Sequence, residues 1–123
     1  MSPENAIVFI AEDDRIFREI SIEIIEASSH HVAVVASTLQ EALSGIEEAK
    51  RKGVNVAVVD GNLTKRDVSG NDGRLISEEI RKQIPNIKII SFSSSEQIYG
   101  DVHVDKDDIR KLGKTIQDLP DIS

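Results

Sequence analysis

A chain of 123 residues, 39% of them hydrophobic and 30% charged, has the balance of one globular domain spanning residues 1–123 with a core of its own. The absence of cysteine excludes disulfides, thiolate zinc sites and cysteine nucleophiles, and it fits a reducing cytoplasm, the expected location. A net charge of −7 argues against direct nucleic-acid binding and against an anionic membrane surface, and the apolar run Ala6–Ala11 is too short for a bilayer span or a signal-peptide core.

Aromatic residues make up only 3% of the chain, so the core must be aliphatic. Ala6–Ala11 is a continuous apolar run of strand length. After it Ile16, Phe17, Ile20 and Ile24 recur at helical spacing to about Ala27. His30 and His31 fall at a turn and read as surface residues, ahead of a second β-branched run, Val32–Ala36. Thr38 with Glu41 three residues on reads as a capping box. The helix it opens carries Leu39, Ala42, Leu43, Ile46 and Ala49 on one stripe and stops at Gly53. Val54–Val59 is a third strand, followed by the turn-rich stretch Gly61–Asn71. Asn71 or Asp72 caps a helix carrying Leu75, Ile76 and Ile80, and Pro85 ends that region. Ile87–Phe92 is a fourth strand and Val102–Val104 a short fifth. Asp107 or Asp108 then starts a last helix with Ile109, Leu112 and Ile116 on one face.

Continuous apolar strands alternating with amphipathic helices predict an α/β fold, a doubly wound five-stranded parallel sheet covered on both faces. In the flavodoxin-like strand order, 2-1-3-4-5, the switch point lies between the first and third strands, and ligands bind there beyond the carboxyl ends. Only eight residues, Ser94–Asp101, join the fourth and fifth strands. A parallel crossover takes about a dozen or more, so the fourth helix is expected to be reduced to a turn or loop.

The first strand runs into Glu12-Asp13-Asp14 and the third into Asp60, neighbours across the switch point. By itself the triplet also reads as an acidic helix N-terminus, favoured by the helix dipole. An acid closing the run VAVVD has little structural purpose. Like charges this close repel unless a cation is shared. Few carboxylates with room for water and phosphate oxygens suit Mg²⁺ better than a Ca²⁺ cage. Ser93 closes the fourth strand and Lys106 follows the fifth. Singly, each reads as an ordinary polar residue. At successive strand ends, a hydroxyl donor and an ammonium facing carboxylates suit a transferred phosphoryl group.

Through IVFIAEDD, VNVAVVDGNL, NDGRLISEEIRKQIPNIKIISFSS and HVDK the sequence resembles the response-regulator receiver family of two-component signalling, over essentially its whole length. The resemblance implies that Asp60 accepts a phosphoryl group from a histidine kinase or histidine phosphotransfer protein, with Mg²⁺ as cofactor. It implies that Asp13 and Asp60 ligate the ion, that Asn62 adds its backbone carbonyl and that Glu12 orients ligated water. Ser93 would turn to the phosphoryl group, Lys106 would pair with it, and the switch position falls on His103. His103 is smaller than the usual aromatic there, and an edge-strand histidine facing solvent is the plainer alternative. Such a protein is a phosphoacceptor switch with modest autophosphorylation and autodephosphorylation rather than a turnover enzyme.

Three departures from the family pattern bear on function. The loop after Asp60 is long, and its Lys65 and Arg66 read as solvated charges. Asp107 stands where a proline usually follows the lysine, and a cis bond before a non-proline would cost about 3 kcal/mol. Loss of the fourth helix would alter the output surface and leave apolar surface for phosphorylation-dependent self-association. No output domain follows the last helix, which suggests a single-domain regulator, a phosphorelay shuttle or a piece of a longer chain. Two other functions compete. One is a pseudo-receiver that binds partners without phosphorylation. The other is a Mg²⁺-dependent phosphatase with Asp60 as nucleophile, for which Asn62 stands where a general acid would be needed.

Overall fold

The computed structural model describes residues 6–61, 63, 71–94 and 99–119. Asn62, Lys65 and Arg66 lie outside them. The elements run β1 (Ile7–Ala11), α1 (Arg15–Ala27), β2 (His31–Ala36), α2 (Leu39–Arg51), β3 (Val56–Asp60), α3 (Asn71–Gln83), β4 (Lys88–Ser93) and β5 (Val102–Asp105), then a 3₁₀ turn (Lys106–Lys111) and α4 (Leu112–Gln117). All strand pairs are parallel, and the sheet order is β2-β1-β3-β4-β5, as the alternating pattern predicts. The chain passes from β4 to β5 in the eight residues 94–101, and its described residues form no helix.

Alternation along the strands divides the core in two. Phe9, Ala11, Ala57, Val59 and Ile89 face α2 and α3, meeting Ala42, Ile46, Ile76 and Ile80. Val8, Ile10, Val56, Val58, Ile90 and Phe92 face the other way, onto Ile25, Leu112 and Ile116. Every residue of β3 is buried. A fully buried Val or Ile contributes roughly 1.5–3 kcal/mol, so the central strands are the most firmly held part of the fold. The sheet therefore presents its carboxyl edge as a rigid platform.

Local chemistry explains where the elements begin and where the sequence pattern misleads. Asp14 caps α1, its Oδ1 accepting from the Ile16 and Phe17 amides at 2.9 and 3.1 Å. Thr38 accepts from Glu41 N–H at 3.0 Å, but the Glu41 carboxylate returns to Ser37 rather than to Thr38, bonding its amide and hydroxyl. Gly53, at φ +76°, ends α2 in the left-handed conformation open to glycine. The last helical region is capped by Asp105, not by Asp107 or Asp108, through a bond from the Asp107 amide. The Lys106–Asp107 peptide is trans. Ile16 and Leu75 fit the helical stripes by spacing, yet both are exposed.

His30 departs further from its surface reading: it is 4% exposed. Ser29 takes the left-handed conformation after α1 and turns the chain inward, and His30 Nδ1 accepts the Ala6 amide at 3.0 Å. His31, one residue on, is exposed.

Candidate functional site

The acidic triplet divides its labour. Asp14 is used up as the helix cap, while Glu12 and Asp13 remain at the end of β1 beside Asp60. One carboxylate oxygen from each of Glu12, Asp13 and Asp60 lies within 4.8 Å of the others. The β1–α1 turn is tied by Asp14 N–H donating to Glu12 Oε2 at 3.0 Å. Arg18 holds it from α1, donating to the Glu12 and Asp13 carbonyls at 3.1 and 3.3 Å.

Lys106 enters this cluster from the end of β5. Its Nζ stands 3.1 Å from Glu12 Oε1 and 3.2 Å from Asp60 Oδ2. Phe17 and Phe92 meet edge to face at 6.1 Å, and the ammonium lies 5.0 and 5.8 Å from their ring centres. That collar confines the flexible lysine stem and adds cation–π attraction. Glu12 and Asp60 are almost wholly buried, at 1% and 3% exposure. Burial, and after it the charge of Asp60, pushes the Glu12 carboxyl up to about 8. Burial works against the Lys106 ammonium, but the charges of Glu12 and Asp60 outweigh it and hold it above the usual lysine range.

Ser93 is buried at the end of β4 and shares with Asp13, Phe17, Asp60, Lys106 and Asp107 a cavity of about 510 Å³. A larger groove, about 870 Å³, runs between α2 and α3 past Leu43 and Leu75, and its polar residues, Ser44, Glu47 and Lys50, are exposed on α2 rather than gathered at strand ends. The smaller cavity is the one that the predicted residues Asp13, Asp60, Ser93 and Lys106 line. Three clustered carboxylates face one ammonium, so if all ionise a net negative charge remains. This donor set fits a hard divalent cation with oxygen ligands. Five sequence-predicted residues (Glu12, Asp13, Asp60, Ser93 and Lys106) thus meet at one edge. His103 stands apart on β5, in register with Ser91, half-buried and with both ring nitrogens shielded and without a hydrogen-bond partner among the described residues.

The response regulator receiver domain family matches residues 8–111. The chain belongs to this family. Among solved structures, the receiver domain of the hybrid histidine kinase CckA superposes with a TM-score of 0.73 at 19% identity, over 91% of this chain and 96% of that one. A CheY-like response regulator receiver domain protein from Methanospirillum hungatei JF-1 gives 0.73 at 20% identity, over 91% and 90%. Both likenesses are of fold. No curated protein matches. Receiver domains are phosphoacceptor switches that interact with histidine kinases or phosphotransfer proteins and typically bind Mg²⁺ at an acidic pocket. No helix among the described residues of this receiver domain is long and apolar enough to cross a membrane.

The supports of the site leave no pattern in the sequence. The bonds of Arg18, in α1, to the β1–α1 turn and the Phe17–Phe92 collar are invisible until the fold brings them together. Tyr99 is the chain's only tyrosine, in a connection too short for a helix, and that singularity was the available signal.

Proposed function

We propose that this receiver domain accepts a phosphoryl group on Asp60 from the phosphohistidine of a histidine kinase or histidine phosphotransfer protein, in a Mg²⁺-dependent reaction, and so switches partner binding. The observation that supports it best is the Asp60 carboxylate, buried at the end of β3 with Lys106 Nζ at 3.2 Å and Glu12 and Asp13 beside it. A carboxylate oxygen of Asp60 attacks phosphorus, the new O–P bond replaces the P–N bond, and the imidazole leaves with its electron pair. Lys106 pairs with the transferred oxygens, and the Ser93 hydroxyl donates to another. Asp13 and Asp60 would hold Mg²⁺, with Asn62 adding its backbone carbonyl and Glu12 orienting ligated water. When bound, the ion offsets the repulsion between an anionic nucleophile and an anionic phosphoryl group.

Water attack on the acyl phosphate would reset the switch, so slow self-catalysed gain and loss of phosphate are part of the same reading. Ser93 and His103 are the positions proposed to respond. Fluorine NMR with Mg²⁺ and beryllofluoride tests the proposal. A bound fluoride signal that needs both Mg²⁺ and Asp60 is expected, and its absence at saturating Mg²⁺ would leave a receiver fold that binds partners without phosphorylation.

A further inference from the structure

The β4–β5 connection sends one side chain back to the phosphoacceptor strand. The Tyr99 hydroxyl donates to the Val59 carbonyl at 2.5 Å, and the Phe92 N–H also faces its oxygen. Val59 immediately precedes Asp60, and Phe92 immediately precedes Ser93. The phenol therefore contacts the residue before the proposed phosphoacceptor and the residue before the proposed hydroxyl donor. Its ring is held closely. A Cβ on Gly73 would come within 2.6 Å of Tyr99 Cζ and 2.9 Å of Gly61 Cα, so α3 and the end of β3 admit the ring only with glycine at 73. At its other end Tyr99 is anchored to the sheet. Ser91 Oγ accepts the Tyr99 and Gly100 amides at 3.1 and 2.8 Å. Asp101 then takes the Ile89 amide at 2.8 Å and Arg81 of α3 at 3.0 Å.

We propose that Tyr99 is a positioning residue for Asp60 and Ser93, and that its hydroxyl is the link by which a change at these two residues reaches the β4–β5 connection. The inference rests on the phosphoacceptor reading. Drawing Ser93 toward a phosphoryl group displaces the end of β4, and the phenol, bonded to the Val59 carbonyl of β3 and beside the Phe92 N–H of β4, cannot keep both surroundings unchanged. Because Tyr99 and Gly100 hang on Ser91, displacement of the ring moves the end of the connection that leads into β5. Coupling of this kind requires only that the two states of the site bond the phenol differently.

The chain has one tyrosine and no tryptophan, so a single ¹³Cζ-tyrosine resonance reports on Tyr99 alone. The experiment adds Mg²⁺ and beryllofluoride to the wild type and Tyr99→Phe, following bound fluoride, the phenol carbon and backbone amide shifts. The expected result is a bound fluoride signal in both proteins and a displaced phenol resonance in the wild type. Amide shifts at Tyr99–Asp101 should then fall severalfold in Tyr99→Phe, while those at Glu12 and Asp13 stay. An adduct with an unmoved phenol resonance, or with equal connection shifts in the two proteins, overturns the inference alone. No adduct in the wild type overturns the phosphoacceptor reading and this inference with it.

Discussion

Lys106 and Glu12, separated by 94 residues of sequence, meet through a 3.1 Å ion pair inside the carboxylate cluster. Glu12 is buried, Lys106 is partly so, and Asp60 flanks both, so removing the lysine leaves the carboxyl groups facing each other without a cation. Lys106→Met should lower the metal-free unfolding free energy by about 2 kcal/mol, less than a fully buried pair would lose because Glu12 can take up a proton instead. Urea unfolding with unchanged slope and a lower midpoint is the expected record. The same variant should lose the response to beryllofluoride.

Glu12 has a folded pKa raised to about 8 from an ordinary value of 4.5, so its neutral form is the one the fold favours. Stability from this group is complete below 4.5 and is lost as pH rises through about 8. Glu12→Gln removes the titration. In chelator, the variant should become the more stable protein as pH rises, by about 1–2 kcal/mol at pH 8, while gaining less from added Mg²⁺. Thermal unfolding across pH 5–9 measures both effects, and parallel wild-type and variant curves would contradict the cluster's electrostatics.

His30 titrates in the opposite sense. Burial lowers its pKa below 6.5, and Nδ1 must stay unprotonated to accept the Ala6 amide. Its contribution is present above 6.5 and is lost as pH falls through the lowered folded value. His30→Asn cannot titrate, so the acid limb of the stability curve should flatten in that variant.

Gly73 tests the packing under Asp60. An added methyl meets Tyr99 and the Gly61 backbone at once, and the backbone cannot swing aside. Gly73→Ala should destabilise by roughly 1–3 kcal/mol despite the better helix propensity of alanine. Gly45→Ala, whose new methyl would meet a Val34 side-chain atom at 3.3 Å, is the milder control.

Much of this was legible in the sequence, for identifiable reasons. Continuous apolar runs of strand length specify strands buried on both faces, so the sheet follows from Ala6–Ala11, Val54–Val59 and Ile87–Phe92, and its order from the flavodoxin-like pattern of alternating strands and helices. Residues at strand ends inherit their place from the strands, which is why Glu12, Asp13, Asp60, Ser93 and Lys106 could be brought to one edge. Spacing cannot tell a helix flank from its centre, hence the exposed Ile16 and Leu75. It also cannot see a turn that folds inward: the left-handed Ser29 buries His30. Asp14 and Glu12 are chemically alike in the sequence, and only the amides of Ile16 and Phe17 separate a cap from a site residue. Tyr99 stands out in the sequence only as the single tyrosine, because its contact spans 40 residues.

The most direct test of the central claim is intact-mass spectrometry of the purified protein after incubation with acetyl phosphate, with and without Mg²⁺, beside Asp60→Ala. A single phosphoryl adduct that requires Mg²⁺, is labile to base and is missing from Asp60→Ala is the predicted result. An unmodified wild type at saturating Mg²⁺, or an adduct that persists in Asp60→Ala, would contradict it.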